Sequence, residues 1–172
     1  MNYLIIIIIL GLIVITPGCM SPNNVTAVPS SPQVNTTTVL STTGTVINDI
    51  LTITINSATK KTIIGRSTNK GGDIFLVLDI TIQNNDKNND FRYKDTSFAI
   101  FDKINNIRRT AITSQLNTGG LNNPFTSGTI PLKTKMSGQI VFGVMDNSNS
   151  YKLYVSDSKG SVLTSIDNIN VL

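Results

Sequence analysis

The 172-residue sequence predicts an all-β domain, an antiparallel β-sandwich, carried behind an export leader and an extended polar linker. Three observations predict it. Apolar and polar residues alternate with a period of two from Leu51 onward, turn-forming Asn, Asp and Gly separate the alternating runs, and an N-terminal apolar stretch ends at the only cysteine, Cys19. Helical spacing is nowhere sustained.

The leader comes first. Tyr3 to Ile15 is apolar, short of the roughly 20 residues a spanning helix needs but suited to the core of a signal peptide. Thr16-Pro17-Gly18-Cys19 follows. A thiol is the side chain that accepts a thioether-linked diacylglyceryl group, and a small Gly18 lets a peptidase reach the bond before it. Gly18-Cys19 resembles the prokaryotic lipobox, with Thr16 and Pro17 in place of its usual Leu and Ala or Ser, and with no Lys or Arg in Met1-Asn2-Tyr3. The expectation is that residues 1–18 are removed as a lipoprotein signal peptide and that Cys19 is lipidated, which places the protein at the outer face of the cell membrane. Two acyl chains, at about 0.8 kcal/mol per buried methylene, hold a protein where one is marginal. The alternatives are an uncleaved signal anchor and cleavage elsewhere with secretion.

Residues 19–44 carry no charge and are rich in Ser, Thr, Pro and Asn, with Pro22, Pro29 and Pro32. Such a tract cannot bury enough apolar surface to offset its ordering entropy, so it is expected to be a disordered tether reaching roughly 25–40 Å. It holds two glycosylation sequons, at Asn24 and Asn35.

The remaining stretch, 45–172, has the size of one domain. With its lone thiol assigned to lipid it has no disulfide, so packing and hydrogen bonds must stabilise it. Leu51, Ile53 and Ile55 alternate with Thr52 and Thr54, which gives a first strand. Ile74, Leu76, Leu78, Ile80 and Ile82 form the longest inward row, with Asp79 and Thr81 opposite, and predict a central strand. Further segments begin at Phe98 and Ile100, at Ile107 to Ile112, at Ile140, Phe142 and Val144, and at Tyr151, Leu153 and Val155. The last runs through Val162, Ile166, Ile169 and Val171. Asn84 to Asp90, Asn105-Asn106, Gly119-Gly120, Asp146 to Asn149 and Ser158 to Gly160 supply the turns. Short strands with polar turns indicate an antiparallel sandwich rather than an α/β sheet.

Gly72-Asp73-Ile74-Phe75-Leu76-Val77-Leu78-Asp79-Ile80-Thr81-Ile82-Gln83-Asn84-Asn85 resembles the long strand and Asn turn of the DUF4352 family. Ser97-Phe98-Ala99-Ile100-Phe101-Asp102 and Ser137-Gly138-Gln139-Ile140-Val141-Phe142-Gly143-Val144 resemble two later strands of that family in the same order, so the likeness covers residues 45–157. Asn105-Asn106 and Thr134-Lys135 stand where the family usually has a Gly turn and Pro-Gly. The resemblance implies an immunoglobulin-like sandwich of prokaryotic lipoproteins and supplies no functional site.

The chain has no His and no Glu, and its Cys is at the lipid site. Ser-His-Asp, Cys-His and soft zinc sets are therefore absent, and no enzyme activity is expected. Ser-x-x-Lys occurs at Ser57, Ser67 and Ser156, each time on a strand end or turn rather than at the helix start that acyltransfer requires, and without the partner motifs. Asp86, Asn88 and Asp90 repeat the alternating oxygen ligands that open an EF-hand loop. Phe91 then replaces the bend Gly and Ser97 the bidentate Glu, so the segment reads first as a solvated turn and second as a weak calcium site, with no other cofactor expected.

The formal net charge is +4. Lys60, Lys61, Arg66 and Lys70 precede the long strand, and Arg108-Arg109 follow the Asn turn. Placed at one end of a sandwich, these residues would meet anionic lipid headgroups or an anionic wall polymer; dispersed, they would serve solubility alone. Basic residues do not interleave with aromatics along the chain, and no nucleic acid partner is expected. Tyr151 and Tyr154 fall on opposite faces of one strand. The function expected is a lipid-anchored, non-catalytic binding module of the cell surface, and the alternative is an accessory subunit that docks on an envelope protein through a sheet edge.

Overall fold

The computed structural model describes residues 36–39, 44–69 and 73–171, and Cys19, Asn24, Asn35 and Lys70 lie outside them. The strands are β1 (Thr36–Val39), β2 (Thr45–Ile47), β3 (Leu51–Lys61), β4 (Ile63–Ile64), β5 (Ser67–Thr68), β6 (Asp73–Asn84) and β7 (Phe91–Lys94). They continue with β8 (Phe98–Asp102), β9 (Ile107–Thr110), β10 (Ser127–Ile130), β11 (Lys135–Met145), β12 (Ser150–Ser156) and β13 (Val162–Asn170). Single 3-10 turns fall at Asp95–Ser97 and Thr113–Gln115.

Every strand pairing is antiparallel, and the two larger sheets make the sandwich. One has β6 at its centre between β3 and β11, with β1 and β2 following one another along the other edge of β3. The other runs β13-β12-β8-β9. Thr36–Val39, which the sequence assigns to the tether, lies beside Ala58–Lys61.

The expected inward row of β6 is the core. Leu76, Leu78, Ile80 and Ile82 are fully buried, and across β11 they face Phe142, Ile140, Gly138 and Met136. Each fully buried Leu or Ile contributes about 1.5–3 kcal/mol. From the opposing sheet Phe98, Ile100, Tyr151, Leu153 and Val155 close the same core. In β3 the alternation of Leu51, Ile53 and Ile55 breaks at a bulge at Asn56, after which Ala58 rather than Ser57 points inward. The Asn56 amide spans the irregularity, donating to Asp79 Oδ1 at 2.8 Å and Thr81 Oγ1 at 3.1 Å.

Two expectations change. The outer face of β6 is solvated from Asp79 through Thr81 to Gln83, whereas Phe75 and Val77 are buried in a second apolar cluster with Ile64 and Val141, covered by Ile112, Leu116 and Leu121. The run Ile107 to Ile112 stops as a strand at Thr110 because Ile112 turns to donate its N–H to Val141 O, starting the segment that roofs this cluster. The hairpin-like pair β7 and β10 adds the aromatic corner, with Tyr93 5.1 Å from Phe125 and 6.0 Å from Phe98 by ring centroid.

Candidate functional site

The registers gather the basic residues at one end of the sandwich. Lys61 pairs with Phe75 near the start of β6, Met145 with Asp73, and Asp102 with both Tyr151 and Ile107, so the ends of β3, β6, β8, β9, β11 and β12 meet there. Thr36 pairs with Lys61, so the chain also enters the domain at this end. One carboxyl-capped turn fixes the geometry of the β8–β9 connection. Asp102 Oδ1 accepts the amides of Ile104 and Asn105, each at 3.0 Å, and its Oδ2 accepts the Asn105 side chain at 2.9 Å. Burial pushes this carboxyl up, but the hydrogen bonds outweigh it and hold it below its ordinary value. Asn106 takes the left-handed conformation, φ 56°, that lets the turn close.

Strand alternation sends the two arginines of β9 to opposite sides. Arg108 lies on the outer face, its guanidinium carbon 5.2 Å from the centroid of the Tyr154 ring, and Lys152 Nζ lies 5.4 Å from the same ring. Phe101 pairs directly with both Arg108 and Lys152. Aromatic and basic residues therefore do interleave, across strands rather than along the chain. Asp167 accepts Lys152 at 2.7 Å and Lys103 at 3.1 Å. The hydrogen bonds from Lys152 and then Lys103 lower its carboxyl, and the bond to Asp167 raises Lys152.

Arg109 turns toward the other sheet. Its Nη1 is 3.3 Å from Asp73 Oδ2 at the first residue of β6, and its Nε is buried with no acceptor among the described residues. A groove of about 650 Å³ runs beside it, lined by Asn69, Thr96, Arg108, Arg109, Thr110 and Gln115. Lys60, on the neighbouring sheet, donates to the carbonyl of Asp146 at 2.7 Å. Of the residues expected to form the basic end, Lys60, Lys61, Arg108 and Arg109 lie on strands that end here, with Arg108 and Arg109 on opposite faces of β9, while Arg66 sits in the exposed turn between β4 and β5. Tyr154, Lys152 and Asp73 join them through registers that no local spacing announces.

The calcium candidates lie at the opposite end. Asp86 Oδ1 accepts the amides of Asn88 at 2.8 Å and Asn89 at 3.1 Å, and the former bond is the largest cause holding its carboxyl below the ordinary value. Asp90 Oδ1 accepts Leu132 N–H at 3.1 Å. The side chains of Asp86 and Asp90 are thus engaged as turn caps, and among the described residues no group of three His, Cys, Asp or Glu side chains is placed to hold a metal. Ser57 and Ser156, of the Ser-x-x-Lys matches, lie on β3 and β12, where no helix brings a lysine to the hydroxyl.

Comparison with known proteins adds family and fold. A family model described as "Domain of unknown function (DUF4352)" matches residues 42–162. The crystal structure of a "putative lipoprotein (ycdA)" from Bacillus subtilis superposes with a TM-score of 0.54 at 14% identity, covering 72% of this chain and 38% of that one, so the chain spans well under half of that protein. A functionally unknown protein from Listeria monocytogenes superposes with a TM-score of 0.56 at 16% identity, covering 81% of this chain and 88% of that one. No curated protein matches in sequence.

Proposed function

The chain belongs to the DUF4352 family, and on that premise we propose that it is a non-catalytic binding module, lipid-anchored through Cys19 at the outer face of the cell membrane. The observation that carries the anchor is the apolar leader ending in Gly18-Cys19. The fold shared with a protein described as a lipoprotein is in keeping with it. The entry of the chain beside Lys61 also favours it, because a tether arriving there turns the basic end toward an anionic surface. Binding rather than catalysis is favoured by a sequence with no His, which removes the commonest general base and every Ser-His or Cys-His pair and leaves Asp as its one carboxylate type.

The accessory-subunit reading needs an open sheet edge. The free edge of β11 carries the segment 123–125, with Phe125 N–H on Gln139 O and Gln139 N–H on Asn123 O, so this edge is already occupied. Docking through it would require that segment to leave, so this reading would have to use another edge, such as that of β9.

Mass spectrometry of the membrane fraction tests the anchor. The expected mature N-terminus is Cys19 bearing two acyl chains, and Cys19→Ala should move the protein from the detergent phase to the aqueous phase. An intact precursor, or unchanged partition of Cys19→Ala, would overturn the reading.

A further inference from the structure

The structure assigns to the groove along β9 a binding site for the oxyanion groups, phosphate or carboxylate, of a linear acidic polymer. This deepens the binding-module reading and rests on it. The first argument is Arg109. A guanidinium donor that is buried and unpaired is costly, and Arg109 uses one nitrogen, at 3.3 Å, on Asp73 while its Nε has no acceptor among the described residues. The Nε side of a guanidinium, with its neighbouring amino group, is the fork that takes a carboxylate or phosphate through two parallel bonds, and because Arg109 Nε is sealed from solvent, engaging it requires the side chain to shift toward the groove.

The second argument is the wall of the groove. Asn69, Thr96, Thr110 and Gln115 are neutral hydrogen-bonding side chains, and Asp73, the carboxylate that also borders it, is engaged with Arg109. Among the residues lining the groove, the one carboxylate is therefore already paired.

The third argument is the strand edge. Ala111 N–H bonds to Phe98 O, and the β8–β9 register continues through Arg109–Ile100 and Ile107–Asp102. In an antiparallel ladder the alternate residues, Arg108 and Thr110, then turn their amides away from β8 toward the open side. Arg108 carries its charge to the outer face, over Tyr154. An acidic chain lying across β9 therefore meets a guanidinium on each side of the edge, with the outward amides and carbonyls of Arg108 and Thr110 between them, and the two separated guanidiniums suit repeated anions rather than one.

The test uses the full chain in neutral detergent micelles, titrated calorimetrically with a glycerol-phosphate oligomer, with polygalacturonate, with dextran as the neutral control, and with micelles doped with phosphatidylglycerol. Saturable, salt-sensitive binding of either acidic polymer and none of dextran is expected, and the two polymer arms tell phosphate from carboxylate. Arg109→Lys keeps the charge but loses the fork and should weaken binding about tenfold; Arg108→Gln should weaken it similarly with the Arg109–Asp73 pair intact. Asp73→Asn releases Arg109 and should tighten binding, a change opposite to that of a merely structural ion pair. No polymer binding, equal affinity in all variants, weaker binding by Asp73→Asn, or binding to the doped micelles alone would overturn the site. Because the micelle titration does not depend on lipidation, its failure is distinct from failure of the Cys19 anchor.

Discussion

The side-chain amide of Asn84, sealed from solvent at the end of β6, donates to the carbonyl of Ile130 in β10 at 3.0 Å and ties the central strand to a segment 46 residues away. The same nitrogen donates to Asn89 O at 3.0 Å, and Oδ1 accepts Asp86 N–H at 3.0 Å, so one side chain closes the Asn-rich turn from inside. The Asn-rich turn after β6 is thus held by a buried polar bolt.

Asn84→Ala removes both donors and the acceptor and leaves buried carbonyls unpaired, so it should cost about 2–4 kcal/mol, read as a lower urea midpoint with unchanged slope. Asn84→Asp should be worse at neutral pH, where a buried carboxylate would face two carbonyls, and should recover in part on acidification. Equal stability of Asn84→Asp at pH 4 and pH 7 would contradict this account.

Gly138 governs the covered edge of β11. A Cβ there would overlap the Asn123 carbonyl and meet the Phe125 ring at 2.9 Å. Gly138→Ala should therefore lift the segment 123–125, destabilise the domain by about 1–3 kcal/mol, and speed hydrogen exchange at the Phe125 amide. With the edge uncovered, concentration-dependent self-association should appear in sedimentation runs.

How far the sequence reveals this fold depends on strand length and on register. In β6, β11 and β12 the period of two runs long enough to show, and their inward rows are the ones expected. The row of β3 fades after Ile55 because the bulge at Asn56 resets its phase. Ser127–Ile130 and Thr45–Ile47 are too short and too polar to show a period, and Phe91–Lys94 alternates but is masked by the Asn-rich turn before it. The roof over Phe75 and Val77 comes from a loop, whose packing has no periodic signature. Arg108-Arg109 is visible as a basic pair, but its partners are not: Asp73 and Tyr154 reach it through cross-strand pairing.

Stability should change with pH only at the extremes. Asp86, Asp102 and Asp167 all lie below the ordinary 3.8 in the folded state. Their contribution is present above that value and lost as pH falls through the lower folded values. At the alkaline end, burial pushes Tyr151 up to about 12 from 10.0, and burial also raises Tyr93. A raised group contributes fully below its unfolded value, so this stability should fade between pH 10 and 12. With no His or Glu in the chain, calorimetric Tm should be flat from about pH 5 to 9. A step near pH 6.5 would show an ionisation that the side chains do not account for.

Calcium provides the last prediction. Asp86, Asn88 and Asp90 have the spacing of an EF-hand opening, but spacing is not coordination. A calcium ion needs six to eight oxygens converging at about 2.3–2.6 Å. Here Asp86 Oδ1 is directed at the amides of Asn88 and Asn89, and Asp90 Oδ1 at the amide of Leu132, so each carboxylate keeps a single uncommitted oxygen, far short of that number. We expect millimolar calcium to leave Tm unchanged within about 1 °C, the shift that a site no tighter than its ligand concentration gives in a domain of this size. Asp86→Ala and Asp90→Ala should each lower Tm by the same amount with calcium or with chelator, because what they remove is a turn cap. If the loss of Tm in Asp86→Ala were larger in calcium than in chelator, the carboxylate would be a ligand and the turn-cap account would fail.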